Sequence, residues 1–120
     1  MCGIVGYIGK DNALSRVRSK IKLLEYQGYD SSGFCVIDST KNEFLIKKTI
    51  GTIDKIKNIP DIESSIGISH TRWATHGKIS ESNAHPQLSQ NNQISIVHNG
   101  IIENYQELKL FLKNKGYSFN

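Results

Sequence analysis

The apolar positions of this chain fall into short runs and one clear helical stripe, separated by polar turns. Ile4-Val5-Gly6-Tyr7-Ile8 reads as a buried strand closed by Gly9, with Lys10, Asp11 and Asn12 as a turn and helix cap. Leu14, Val17, Ile21 and Leu24 recur at spacings of three and four, which predicts a helix from Asn12 to about Gln27, stopped by Gly28. The stretch from Gly28 to Gly33 is expected to be a loop bounded by glycines. Phe34 to Ile37 and Glu43 to Thr49 then flank Ser39-Thr40-Lys41-Asn42 as a hairpin, and Asp54 to Ile59 suggests a short helix before Pro60.

Ile66-Gly67-Ile68-Ser69 is the next strand, and it runs into a polar stretch from His70 to Gln93 that is too long for an ordinary connector. Ile94 to His98 alternates as a strand and meets Asn99-Gly100. Ile102, Tyr105, Leu108, Phe111 and Leu112 then trace a helix ending at Gly116, and Tyr117-Ser118-Phe119 begins another strand. Hairpin-joined strands beside helices favour an α+β fold with antiparallel sheet over a doubly wound parallel one. There is no internal repeat, linker or low-complexity stretch.

With 120 residues, 38% hydrophobic and 22% charged, the composition is that of one ordinary globular domain or part of one. No apolar run approaches the ~20 residues of a membrane span, and the start has no signal-peptide pattern, so the cytoplasm is the expected location and no membrane partner is expected. Cys2 and Cys35 are expected to be free thiols, Cys35 buried in an apolar strand. The net charge of +4 permits a nucleic-acid partner, but its distribution argues against one. Arg16, Arg18, Lys20 and Lys22 lie two apart on a helix, about 200° between successive members, and no aromatic platform accompanies Lys47, Lys48, Lys55 and Lys57.

Chemistry enters at the first residues. Removal of Met1 would leave Cys2 with a thiol and a free α-amine on neighbouring carbons, so that one residue holds both nucleophile and base. Reference pKa values of about 7.7 to 8.0 for an α-amine and about 8.5 for a thiol make proton exchange between them nearly balanced. By itself a cysteine at this position is more often a small buried residue, so the rest of the chain must supply a substrate clamp and an oxyanion hole. Asn99-Gly100 is a common turn signal, yet an asparagine side-chain N–H and the next backbone N–H can converge on one oxyanion. A donor of that kind is worth about 3 to 4 kcal/mol in acyl transfer. Within His70-Thr71-Arg72-Trp73-Ala74-Thr75-His76-Gly77, Arg72 offers a planar fork for a carboxylate, and Trp73 reads as a core residue or as a lid over a ligand. Four histidines, His70, His76, His85 and His98, invite a zinc reading, but their spacing lacks any CxxC or HExxH pattern, and substrate hydrogen bonding or loop order accounts for them better.

MCGIVGYIG at the start, LEYQGYDSSG at Leu24 to Gly33, GISHTRWATHG at Gly67 to Gly77, SNAHP at Ser82 to Pro86 and VHNGIIENYQELK at Val97 to Lys109 together resemble the class II glutamine amidotransferases, which are N-terminal nucleophile hydrolases. Within that group the wording is similar to the glutaminase domain of the glucosamine-6-phosphate synthases, the isomerising glutamine:fructose-6-phosphate aminotransferases. The resemblance implies stacked antiparallel sheets between helix layers (αββα), of which residues 1–120 would form the N-terminal half. The remainder of the domain and the sugar isomerase domains would lie outside this chain. It also implies that Cys2 is the nucleophile with its α-amine as base, that Asn99 and Gly100 hold the oxyanion, and that Arg72 clamps the glutamine α-carboxylate. Thr75 and His76 would line that site, with Trp73 and its loop closing over glutamine.

The implied partner is L-glutamine, with fructose 6-phosphate engaged only through the isomerase domains, a homodimer for the full-length enzyme, and no metal or nucleotide cofactor. Alternatives are another class II amidotransferase with a different ammonia acceptor, or an inactive truncated piece. Two departures stand out. Gln27 occupies a position where the family usually has arginine, and the chain ends before the acidic run whose aspartate binds the substrate α-amino group, so no residue here is assigned that role.

Overall fold

A computed structural model describes residues 2–74 and 77–119. Its centre is a four-stranded antiparallel sheet built from β1 (Gly3–Ile8), β2 (Ser31–Asp38), β3 (Glu43–Ile50) and β4 (Ile66–Arg72), in the order β1-β4-β2-β3. A two-stranded ribbon pairs β5 (Gln87–Leu88) with β6 (Ser95–Ile96). Helices α1 (Ala13–Lys22) and α2 (Tyr105–Asn114) complete the elements, making the fold α+β with antiparallel sheet, as the strand pattern predicts.

The helix α1 forms where the apolar stripe lies. Asn12 caps it, its side-chain oxygen accepting from Ser15 N–H at 3.1 Å, and the first-turn donors of Ala13 and Leu14 find the carbonyl and hydroxyl of Ser64. It ends at Lys22, short of the Gln27 expected from the stripe, and a 3-10 turn follows at Glu25–Gln27. Leu24 is needed elsewhere: its Cβ lies where a side chain on Gly3 would stand, 2.7 Å from an ideal Cβ there. Ala13, Leu14, Val17 and Ile21 pack against Phe34, Val36, Ile53 and Ile56 to form the core. Removing a side chain such as Phe34 from water contributes about 2 to 3 kcal/mol.

Strand alternation assigns the two faces of the sheet. Ser69 points at α1, donating its hydroxyl to the Val17 carbonyl at 2.9 Å, so His70 and Arg72, in alternate register, belong to the opposite face. Gly33 and Cys35 of β2 share that face; Cys35 is buried there, as expected, and its burial pushes the thiol pKa up.

Further expectations are corrected. Ser31 to Gly33 are strand, because each pairs with both β3 and β4. The strand begun at Ile66 runs on through His70 to Arg72 instead of opening into a loop, because β1 and β2 pair with it on either side. The Tyr117 to Phe119 segment takes no strand pairing, and Ser118 N–H donates instead to the Gln90 side chain at 2.9 Å. The stretch from Asp54 gives only a 3-10 turn, Ile53–Lys55, and the Ile94 to His98 strand shrinks to β6. Helix α2 forms but buries none of its residues, leaving Tyr105, Leu108 and Phe111 exposed. Among the described residues, no helix is long and apolar enough to cross a membrane.

Candidate active site

Cys2 immediately precedes β1, and the register that pairs Gly3 with Thr71 brings it to the end of β4, where Arg72 and Trp73 follow. The close approach depends on Gly3, whose N–H donates to the Thr71 hydroxyl at 3.3 Å while its missing side chain leaves room for Leu24. The half-buried Cys2 sulfur is bracketed by one residue: it accepts from Trp73 N–H at 3.4 Å, and its S–H lies 3.8 Å from the Trp73 carbonyl it can donate to. Backbone, not side chain, holds the thiol. Trp73 is left 51% exposed, which removes it from the core.

Asn99 comes to the same place from 97 residues away in sequence. Its side-chain N–H donates to the Cys2 carbonyl at 3.0 Å, and its side-chain oxygen faces His70 Nε2 at 2.9 Å. Gly100 follows with φ +128°, a backbone conformation open to glycine, against the ring of His98. Asn99-Gly100 therefore does not join two strands as a hairpin turn; it lies between β6 and α2.

Arg72 closes β4 opposite Ser31 of β2. Its Nη1–H donates to the Lys78 carbonyl at 3.2 Å, and Gly77 beside it takes φ +80°, a backbone conformation that favours glycine. Asp30 anchors the same strand end. Its N–H donates to the Arg72 carbonyl and its carboxylate accepts from Ala74 N–H, each at 2.9 Å. The sequence pattern places Asp30 in a loop; its position one residue before Ser31, the partner of Arg72, is visible only once β2 and β4 are in register. Thr75 and His76, expected to line the substrate site, lie outside the described residues.

Behind these groups lies a histidine cluster. The rings of His70 and His85 stack with centroids 4.6 Å apart, and His85 Nδ1 accepts from His98 N–H at 3.3 Å. Burial, then the neighbouring charges of His70, Arg72, Lys48 and His98, push the His85 pKa down to about 4; burial first, against the pull of the Asn99 hydrogen bond, lowers that of His70. Both rings are thus neutral near pH 7. The segment carrying His85 reaches the sheet because Gly33 has no side chain: an added Cβ would fall 2.2 Å from the His85 carbonyl oxygen. Among the described residues no three histidine, cysteine or carboxylate side chains cluster as a metal site.

Comparison with known proteins gives a consistent picture. No family model matches the chain. The glutamine–fructose-6-phosphate aminotransferase (isomerizing) of Clostridium acetobutylicum is 48% identical over 122 residues, covering 99% of this chain and 20% of that protein. The proteins of the same name from Bacteroides thetaiotaomicron and Methanococcus maripaludis give the same 48% and the same coverage. The chain spans about one fifth of the length of the curated relatives it matches. Among solved structures, the glutamine phosphoribosylpyrophosphate amidotransferase of B. subtilis, complexed with ADP and GMP, superposes with a TM-score of 0.77 at 25% identity, over 98% of this chain and 26% of that one. A structure described as the allosteric regulatory enzyme of purine biosynthesis gives a TM-score of 0.79 at 24% identity over the same shares.

Proposed function

We propose that this chain, which resembles in sequence the glutaminase part of the glutamine–fructose-6-phosphate aminotransferases and in fold the class II glutamine amidotransferases, releases ammonia from L-glutamine at Cys2. The observation that carries the reading is the meeting of Cys2, the Trp73 backbone that follows Arg72, and the Asn99 amide at one end of the sheet. Thiol, carboxylate clamp and oxyanion donors are the parts that amide hydrolysis through a thioester requires.

In this reading the α-amine of Cys2, freed by loss of Met1, takes the thiol proton as sulfur attacks the glutamine side-chain carbonyl. Charge moves to the amide oxygen, where the Asn99 side-chain N–H and Gly100 N–H receive it. The protonated amine then passes its proton to the departing nitrogen, ammonia leaves, and a γ-glutamyl thioester remains on Cys2. Water, deprotonated by the same amine, cleaves the thioester and returns glutamate and the free thiol. Arg72 holds the substrate α-carboxylate, and Trp73, Thr75 and His76 close around it.

Residues 1–120 are then the first part of an amidotransferase domain, and its ammonia is delivered, in a cytoplasmic homodimer, to isomerase domains outside this chain that convert fructose 6-phosphate to glucosamine 6-phosphate. The contrast between 48% identity to the fructose-6-phosphate enzymes and 25% to the phosphoribosylpyrophosphate enzyme supports that acceptor over the alternative. The test is covalent labelling with a glutamine analogue bearing an electrophilic ketone, followed by mapping of the adduct. One glutamyl-type adduct on Cys2 is expected, together with glutamate release that Cys2→Ala abolishes; an adduct elsewhere, or none on a chain shown to have lost Met1, defeats the reading.

A further inference from the structure

Among the described histidines, His70 is the fully buried one, 1% exposed, in the middle of β4 between Ile4 of β1 and Gly33 of β2. Its ring is fixed on two sides, by the His85 ring stacked on its face and by the Asn99 side-chain oxygen 2.9 Å from Nε2. An amide oxygen only accepts hydrogen bonds, so Nε2 carries the ring proton. Nδ1 is buried without a hydrogen-bond partner among the described residues, and burial disfavours a second proton on the ring.

An unheld asparagine can turn its amide over, since the two flips differ only in which polar atom faces which neighbour. For an oxyanion the flips are opposite in sign: one presents N–H, the other presents a second oxygen and repels it. A ring N–H on the far edge decides the matter, because only the flip with Oδ1 toward His70 satisfies both. The preceding residue is docked in parallel, His98 N–H on His85 Nδ1 at 3.3 Å, so successive residues of the 98–99 segment each rest on one ring of the stacked pair.

We propose that His70 is a positioning residue for the oxyanion hole: its Nε2–H holds Asn99 Oδ1 and so turns the Asn99 N–H pair toward Cys2. This rests on the reading of Cys2 as the nucleophile and Asn99 as an oxyanion donor. His70 touches no reacting atom and acts through Asn99 alone.

The test compares two substitutions in the full chain. His70→Phe keeps a flat ring on His85 but has no donor; His70→Gln keeps an N–H. In glutamate release, His70→Phe is expected to lower kcat about tenfold to hundredfold with KM within about twofold, and His70→Gln to recover most of the loss. On an Asn99→Ala background, His70→Phe is expected to have no further effect on kcat. The Asn99 side-chain NH2 resonances are expected to move in His70→Phe and to stay near their wild-type positions in His70→Gln. Wild-type kcat in His70→Phe, a His70→Gln as impaired as His70→Phe, independent multiplication of the two losses, or unmoved Asn99 resonances would each overturn the proposal. Should His70→Phe fail to fold by its melting curve, His70→Gln decides: wild-type Asn99 resonances and kcat support the role, and loss of either overturns it. A wild-type chain that neither releases glutamate nor takes an adduct on Cys2 sinks the functional reading instead, and the Asn99 resonances still report whether His70 orients the amide.

Discussion

The carboxylate of Asp30 accepts the backbone N–H of Ala74 at 2.9 Å across 44 residues of sequence. Together with the Asp30 N–H on the Arg72 carbonyl, it fastens the chain on both sides of Trp73, whose backbone brackets the Cys2 sulfur. A charged acceptor makes this the stronger kind of hydrogen bond, worth about 1.5 to 3 kcal/mol, and its partial exposure places it at the lower end. Asp30→Ala is therefore expected to lower kcat/KM for glutamine about tenfold. Steady-state glutamate release checks this; full activity in the variant would show that the Trp73 backbone holds its place without Asp30.

Arg72→Lys keeps the charge and loses the fork. Lysine cannot make two parallel bonds to a carboxylate, nor reproduce the Nη1 donation to the Lys78 carbonyl. With Arg72 as the proposed α-carboxylate clamp, the expected result is a KM for glutamine raised about tenfold to hundredfold, with kcat changed much less, because such binding would be made equally in ground and transition states. A kcat that falls while KM holds would mean that Arg72 serves the reacting amide instead.

Gly33→Ala places a methyl group 2.2 Å from the His85 carbonyl oxygen, a backbone atom that cannot swing aside. The 84–86 segment must lift from β2, and a cost of about 1 to 3 kcal/mol is expected. Since His85 stacks on His70 and receives His98 N–H, activity should fall along with melting temperature. A variant with unchanged melting temperature and turnover would remove the sheet contact from the account of the site.

The histidine cluster sets an acid limit. In the folded chain His85 titrates near 4, whereas an unfolded histidine titrates near 6.5, so between those values the unfolded chain binds more protons. Stability is thus fully present above about pH 6.5 and is lost as pH falls toward 4, and His70, shifted the same way, adds to the slope. Melting temperatures across this window should fall more steeply for the wild type than for His85→Gln. Parallel curves for the two proteins would place the acid sensitivity in the carboxylates.

The sequence alone determined the two helices, the hairpin and the centres of the main strands, and it offered the candidate chemical parts. The Leu14, Val17, Ile21 spacing is a helix because 3.6-residue periodicity is local, and Cys2, Arg72 and Asn99 stand out as candidates by residue type and by the wording around them. Boundaries set by pairing were not legible: Ser31 to Gly33 and His70 to Arg72 read as loop because their strand character comes from partners far along the chain. The roles of Asp30 and His70 were hidden for the same reason. A carboxylate meeting an amide 44 residues on, and a ring meeting an asparagine 29 residues on, are consequences of register and of strand alternation, which put Cys2, His70 and Arg72 together on the face away from α1. Local pattern encodes what a segment becomes; only the folded sheet decides which side chains share a site, because that depends on distances between residues that no short window contains.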